Sequence, residues 1–471
     1  MSARFPVLLT SLLILLVCAV PAQAGTLFGF NDNAALYGQA TPTAAASAAQ
    51  AAGATSVRIT VDWRAVEPTQ GTRDFTRYDA IYNAAVAKGQ QPLFVILFAP
   101  AWARPAGACA GVSDCTVAPD PSHDADFGAF AAAVAARYPQ AAGIEVWNEP
   151  NQREFWGGSL PDPARYTQLL KATYTAVKAV DPALPVITGG LTSYGGEDGT
   201  GPGISTRAFL DGMYAAGAKG FYDGIGLHPY TSFQLWYGFR AIANAKEAMA
   251  ANDDPAKLWF TETNVSTTGP QAVSVADQGR YIQRFIPRFR ARTDVAGVWI
   301  HTLYDPSWVD ATSTDRGYGM LTTTSQAKSG YCVLAALYAT AICATPAADG
   351  TQSARWDAEE KVQAAAEAAI RYRATKGTYT GLTSSVLHAL DPTLSAVPLA
   401  GNALPGPQVD PASIASFPGA DGKSLLLCDA SKADRTYCVS TAGSGRWTYG
   451  SSTGGIYGTA GAINAGSVWW W

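Results

Sequence analysis

The chain has 471 residues, a formal net charge of −4 and 48% hydrophobic residues. That length exceeds one average domain, and a mildly acidic chain without a basic run to track phosphates excludes a nucleic-acid partner. Beyond the N-terminal leader no apolar stretch reaches membrane-spanning length, so no membrane span is expected.

Arg4, an apolar run from Val7 to Val20 and the small residues of Ala22-Gln23-Ala24 have the charge, length and cleavage site of a secretory signal peptide over residues 1–24. A secreted protein, extracellular or attached at the cell surface, is expected. Of the seven cysteines, Cys18 falls in the leader; the rest form an even set, which in an oxidising compartment favours disulfides. Cys109 and Cys115 bracket a short Gly/Ser/Asp loop and Cys428 and Cys438 a polar turn, so each couple is a disulfide candidate. Cys332 and Cys343 would stand about 16 Å apart on a continuous helix. Either that helix breaks, or they pair elsewhere, or they stay buried and reduced.

From Gly25 to Ala344, short apolar or β-branched runs alternate with Ala-rich amphipathic segments, the pattern of successive βα units on a parallel sheet. The runs are Thr26 to Phe30, Ser56 to Asp62, Pro92 to Phe98, Gly143 to Trp147, Pro185 to Gly189, Gly224 to Leu227, Leu258 to Thr261 and Gly297 to Thr302. Helices such as Phe127 to Arg137, Pro163 to Val180 and Gln278 to Ala291 lie between them. The simplest closed solution is an α/β fold, a (β/α)8 TIM barrel over residues 25–344. A Pro/Ala/Gly-rich linker at 345–353 then leads to a small α+β C-terminal domain over 354–471.

Glu149 and Glu262 fall at the C-terminal ends of the fourth and seventh runs, where a barrel of this kind carries its chemistry. Two carboxylates held about 5 to 5.5 Å apart are what cleavage of a glycosidic bond with retention requires. Glu149 precedes Pro150, which restricts its backbone away from helix, and takes the acid/base role. Glu262 is the nucleophile, kept ionised by Arg58 and the Tyr230 hydroxyl. His123 sits in an acidic loop and His388 in the C-terminal domain, so neither a metal-ligand cluster nor a cofactor is expected. The 13 Trp and 21 Tyr suit a carbohydrate partner, whose sugar faces stack on flat rings.

Trp147-Asn148-Glu149-Pro150-Asn151, His228-Pro229-Tyr230 and Thr261-Glu262 together resemble the retaining (β/α)8 glycoside hydrolases of clan A, in their family 39-like branch, over about Gly25 to Ala344. The resemblance implies that Glu149 is the acid/base, that Asn148 binds the sugar 2-hydroxyl and that Glu262 is the nucleophile, supported by Arg58. It further implies that His228 and Tyr230 line the catalytic subsite and that Trp102 contacts sugar. The eighth strand departs from the clan, which places a Trp beneath the reacting sugar. Here Trp299 and His301 share one face by strand alternation, and one or both are candidates. Asp357 to Ala374, Gly377-Thr378-Tyr379 and the closing Gly-Ser-Gly-Arg-Trp-Thr-Tyr run resemble the globular part of type IV pilin-like proteins, without the apolar half-helix that drives filament assembly. Trp447 and Trp469 to Trp471 motivate glycan or cell-surface contact through this domain; a purely structural appendage is the alternative. The expected activity is that of a secreted retaining O-glycosyl hydrolase acting on a polysaccharide or oligosaccharide. The alternatives are a transglycosidase and a non-catalytic carbohydrate-binding protein on the same barrel.

Overall fold

The structure is a computed structural model describing residues 26–109, 115–192, 194–196, 201–230, 235–339 and 351–390, with the backbone of strands 415–418, 425–430, 436–442, 446–452 and 469–470. The leader, Cys343 and most of the expected linker lie outside the described residues. Eight parallel strands form the centre: β1 (Leu27–Asn31), β2 (Ser56–Asp62), β3 (Gln91–Leu97), β4 (Gly143–Val146), β5 (Val186–Thr188), β6 (Gly224–His228), β7 (Lys257–Thr263) and β8 (Val295–His301). They pair in sequence; β8 closes on β1 through Leu27↔Gly297 to Asn31↔His301, and β5 meets β6 at Ile187↔Gly224. Boundaries shift from the expected ones by a residue or two, and one feature was not expected. After Gly189-Gly190 the chain resumes as the two-residue strand Leu191–Thr192, paired with the end of β6.

A helix follows each strand: α1 (Pro42–Ala51), α2 (Thr76–Val86), α3 (Asp124–Arg137), α4 (Pro163–Val180), α5 (Thr206–Ala215), α6 (Leu235–Ala251), α7 (Val275–Ala291) and α8 (Ser329–Tyr338). Their starts are legible in the sequence. Thr41, Asp162 and Ser274 each accept from a first-turn backbone N–H, and proline occupies the first position of α1 and α4, the arrangement that satisfies or removes orphan donors. Helices α3 and α4 approach closely at Gly128, where a Cβ would lie 2.9 Å from the Ala172 carbonyl oxygen.

The barrel interior is layered. Leu93, Ile187, Trp259 and Trp299 fill its lower part, the two indoles stacked at 5.7 Å and 7°. Above them lies a wholly buried polar layer of Arg58, Glu145, His228 and Thr261. Strict alternation would forbid both Thr261 and Glu262 from facing the axis, but β7 slips register against β8 between Phe260 and Thr263, and such an irregularity re-aims side chains.

Cys109 and Cys115 are joined in the loop between β3 and α3. Cys332 is disulfide-bonded and its helix ends at Tyr338, so it is not a buried free thiol. After the barrel, α9 (Thr351–Lys376) lies against α6 and α7, with Glu367 3.0 Å from Arg292 and Arg373 3.7 Å from Glu247. The last strands form a five-stranded antiparallel sheet in chain order, with Cys428 directly opposite Cys438 in register. Among the described residues, no helix is long and apolar enough to cross a membrane.

Candidate active site

The upper end of the barrel opens into a cavity of about 710 Å³, lined among others by Asn31, Asn148, Glu149, Tyr230, Glu262 and His301. Strand β4 ends in an irregular turn, with Trp147 at φ 68° and Glu149 at φ 40°. Bulky residues seldom occupy this region, and such conformations persist where surrounding contacts over-determine them. Here the Trp147 indole donates to the Phe155 carbonyl and Trp147 is fully buried, which swings Asn148 and Glu149 to the cavity.

Glu262 is gripped from three sides. Arg58 Nη1 donates to its Oε1 at 2.6 Å, Asn31 Nδ2 to the same oxygen at 2.9 Å, and the Tyr230 hydroxyl to Oε2 at 2.5 Å. Burial alone would raise its pKa, but the charges of His228, Arg58 and His301 and the Tyr230 hydrogen bond outweigh it, holding Glu262 down at about 2. Glu149 has the opposite environment. Burial is the largest influence and raises its pKa, the hydrogen bond and charge of His228 oppose this, and the Glu262 and Glu154 charges add to it. His228 Nδ1 lies 2.7 Å from Glu149 Oε1. Burial disfavours protonated His228, yet the charges of Glu262 and Glu149 prevail and its pKa is raised.

Arg58 is the hub. Besides Glu262 it donates Nε to Glu145 Oε2 at 2.6 Å, and Nη2 to Glu145 Oε1 at 3.2 Å and to Asn148 Oδ1 at 2.9 Å. With Asn148 Oδ1 accepting from Arg58, the Asn148 amide N–H groups remain for the cavity. Glu145, wholly buried, also accepts from the Gly190 backbone N–H and the Thr261 hydroxyl, both at 3.0 Å. Gly190 has to be glycine, because a Cβ there would lie 2.1 Å from His228 Nε2.

Of the sequence candidates, Glu149, Glu262, Asn148, Arg58, His228, Tyr230 and His301 converge. His301 Nδ1 is 2.9 Å from Asn31 Nδ2, and its ring meets Tyr230 and Tyr318 edge-on. Arg58 and His228 sit wholly buried beneath the cavity and not in its lining, so His228 reaches the site through Glu149, and two further candidates lie away from it. Trp299 is fully buried in the lower layer, its indole N–H bonded to Ser56 Oγ at 3.1 Å; it shares a face with His301 but lies two residues deeper along β8. Trp102 packs edge-on against Trp63 and donates to the Glu67 carbonyl. His123 is held by Asp126 at 2.7 Å.

Ligand-type atoms of Glu149, His228 and Glu262 lie within 4.8 Å of one another, a grouping that the sequence does not show. The pattern was hidden because the three come from three separate strand ends. Sequence reasoning also missed Asn31 and Glu145. Glu145 carried a signal, since an acid two residues before Trp147 within an apolar strand has to meet a buried cation.

No family model and no curated protein matches the sequence. Solved structures do share the fold. A GH39 β-xylosidase from Caulobacter crescentus is 23% identical, with a TM-score of 0.50 over 67% of this chain and 72% of its own. A monomeric β-xylosidase from Caulobacter crescentus CB15 is 19% identical, with a TM-score of 0.51 over 88% and 74%. A GH5 enzyme from Streptomyces cattleya, in complex with Manb1-4GlcNAc, is 18% identical, with a TM-score of 0.52 over 75% and 92%. These establish the (β/α)8 barrel. The pilin-like reading of the C-terminal domain finds no support among them.

Proposed function

We propose that this protein is a secreted retaining O-glycosyl hydrolase whose substrate is an uncharged polysaccharide or oligosaccharide. The observation that carries the reading is the pair Glu149 and Glu262, with carboxylate oxygens within 4.8 Å of each other and pKa values displaced in opposite directions. That separation lies on the short, retaining side of the two carboxylate spacings and supports retention over inversion. Opposed pKa values assign the roles. Glu149, protonated, delivers its proton to the leaving oxygen, while ionised Glu262 attacks the anomeric carbon and forms a glycosyl ester. Glu149, now a carboxylate, takes a proton from the water that attacks the same carbon, and Glu262 departs. Asn148, fixed by Arg58, presents its amide N–H to the hydroxyl beside the reacting carbon.

Asp32, Glu154 and Asp315 add to the acidic wall, and neither lysine nor arginine lines the cavity among the described residues. Such a surface repels uronates. A divalent cation on Glu149, His228 and Glu262 is disfavoured by the Arg58 guanidinium 2.6 Å from Glu262 and by the His228 nitrogen already turned to Glu149. The β-xylosidase names of two structural neighbours favour β-linked neutral sugars as the first substrates to try.

The test is hydrolysis of a panel of neutral and uronate polysaccharides and oligosaccharides, with and without a chelator, following the first-formed anomer by NMR. Retained configuration from a neutral glycan, insensitive to chelator, is expected; an inverted first product sinks the mechanism. Binding without turnover would support a carbohydrate-binding protein, and products longer than the substrate a transglycosidase.

The charge pattern also sets the pH profile. Because Glu149 has to be protonated, kcat/KM is expected to fall as pH rises through its raised pKa, above the ordinary 4.5. His228 lowers that pKa, so His228→Asn is expected to move the alkaline limb to higher pH. A limb that moves down, or stays, contradicts the assignment of Glu149.

A further inference from the structure

We propose that Tyr37 and Trp308 form a stacking platform for the second sugar on the glycone side, so that the enzyme releases a fragment longer than one monosaccharide. This rests on the glycosidase reading. Both residues line the same cavity as the catalytic pair, and their rings stack on each other at 4.2 Å and 27°. They are also among the most exposed large hydrophobic residues described, Tyr37 at 61% and Trp308 at 42%. Isolated exposed aromatics need no explanation; two stacked at the mouth of a polar cavity present a flat apolar face of the kind that a sugar's C–H groups cover.

The pair is held in place before any ligand arrives. Gln39, near Tyr37, donates to the Asp305 carbonyl at 3.0 Å and accepts from the Ser307 backbone N–H at 2.9 Å, tying the loop after β1 to the loop after β8. Arg316 Nη1 reaches the carbonyls of Pro306 and Val309, on either side of Trp308, at 2.6 Å each. A fixed surface loses little entropy when it binds.

Topology gives the side. Around the barrel β8 lies opposite β4 and β1 is its neighbour. Glu149 follows β4 and protonates the leaving oxygen, so the leaving group lies toward β4 and β5. The glycone extends the other way, toward β8 and β1, where Tyr37 and Trp308 stand. The cavity of about 710 Å³ lies in the range that encloses ligands larger than one pyranose.

The test compares 4-nitrophenyl β-xyloside with β-xylobioside, β-mannoside with β-mannobioside and β-glucoside with β-cellobioside, scoring nitrophenol released with the disaccharide intact. The wild type is expected to favour one disaccharide glycoside in kcat/KM by about tenfold or more, and Trp308→Ala to lower that ratio by about five- to tenfold, with Trp308→Phe restoring most of it. Wild-type preference for the monosaccharide glycosides, or an equal loss on both members of a pair, overturns the platform. If no glycoside is cleaved, the hydrolase reading fails first. Calorimetric titration of xylohexaose, mannohexaose and cellohexaose into wild type and Trp308→Ala then decides the platform. Weaker binding by the variant keeps it; equal or absent binding removes it.

Discussion

Glu262→Gly is expected to lower kcat on an activated aryl glycoside by about 10⁴-fold or more, and azide is expected to restore part of the rate. Glu262, the proposed nucleophile, is gripped by Arg58, Asn31 and Tyr230, a cradle that fixes its oxygens and holds it ionised. Removing the side chain vacates the space beneath the anomeric carbon. Azide can enter there, attack that carbon and expel the aryl group, forming a glycosyl azide of inverted configuration. Glu149→Ala should respond differently, because its glycosyl-enzyme still forms from an activated aryl substrate. Azide then displaces Glu262 from the ester and yields a glycosyl azide of retained configuration. Measuring the product anomer from each variant therefore assigns the two roles independently of rate. Retained product from Glu262→Gly would exchange them, and more than about a tenth of wild-type activity in that variant would remove Glu262 from the chemistry.

How much of this site could be read in advance depended on how each residue is signalled. Glu149 and Glu262 were legible because each ends an apolar run, and the barrel rule places strand ends at the active face. The eight runs themselves were legible for the same reason, as buried parallel strands are nearly continuous in apolar residues. Trp299 and His301 stay alternatives in the sequence because alternation gives the face but not the depth. Trp299 and His301 both point inward, and only the three-dimensional layering places one in the floor, stacked on Trp259, and the other beside Tyr230. Trp102 is ambiguous for another reason, since an aromatic just past a strand end can as readily close the outer packing, here against Trp63. Tyr37 and Trp308 carried no local signal at all. They meet only because the loops after the first and last strands become neighbours when the barrel closes.

Arg58→Met tests whether one buried cation holds both the fold and the proposed nucleophile. Arg58 is 1% exposed, and its guanidinium divides between Glu145, which has no exposed surface, and Glu262. Removing one partner of a buried ion pair typically costs about 3–5 kcal/mol, because the remaining charge is left uncompensated. For a chain of this size that corresponds to a fall in Tm of roughly 5 °C. The sign with pH follows from Glu262, whose pKa is held at about 2 in the folded protein against an ordinary 4.5. A depressed carboxylate contributes stability that is full above its unfolded pKa and is lost as pH falls through the folded value. Arg58 supplies part of that depression, so the stability gap between wild type and Arg58→Met should be widest above pH 4.5 and narrow as pH falls toward 2. The double variant Arg58→Met/Glu145→Gln separates fold from function. Neutralising Glu145 removes one stranded charge and should recover part of the lost stability. Activity should stay low, since Glu262 and Asn148 have still lost their shared donor. Recovery of both together would mean that Arg58 serves the reaction only by keeping the barrel folded, and a loss below about 1 kcal/mol in the single variant would mean that the buried network is held by other contacts.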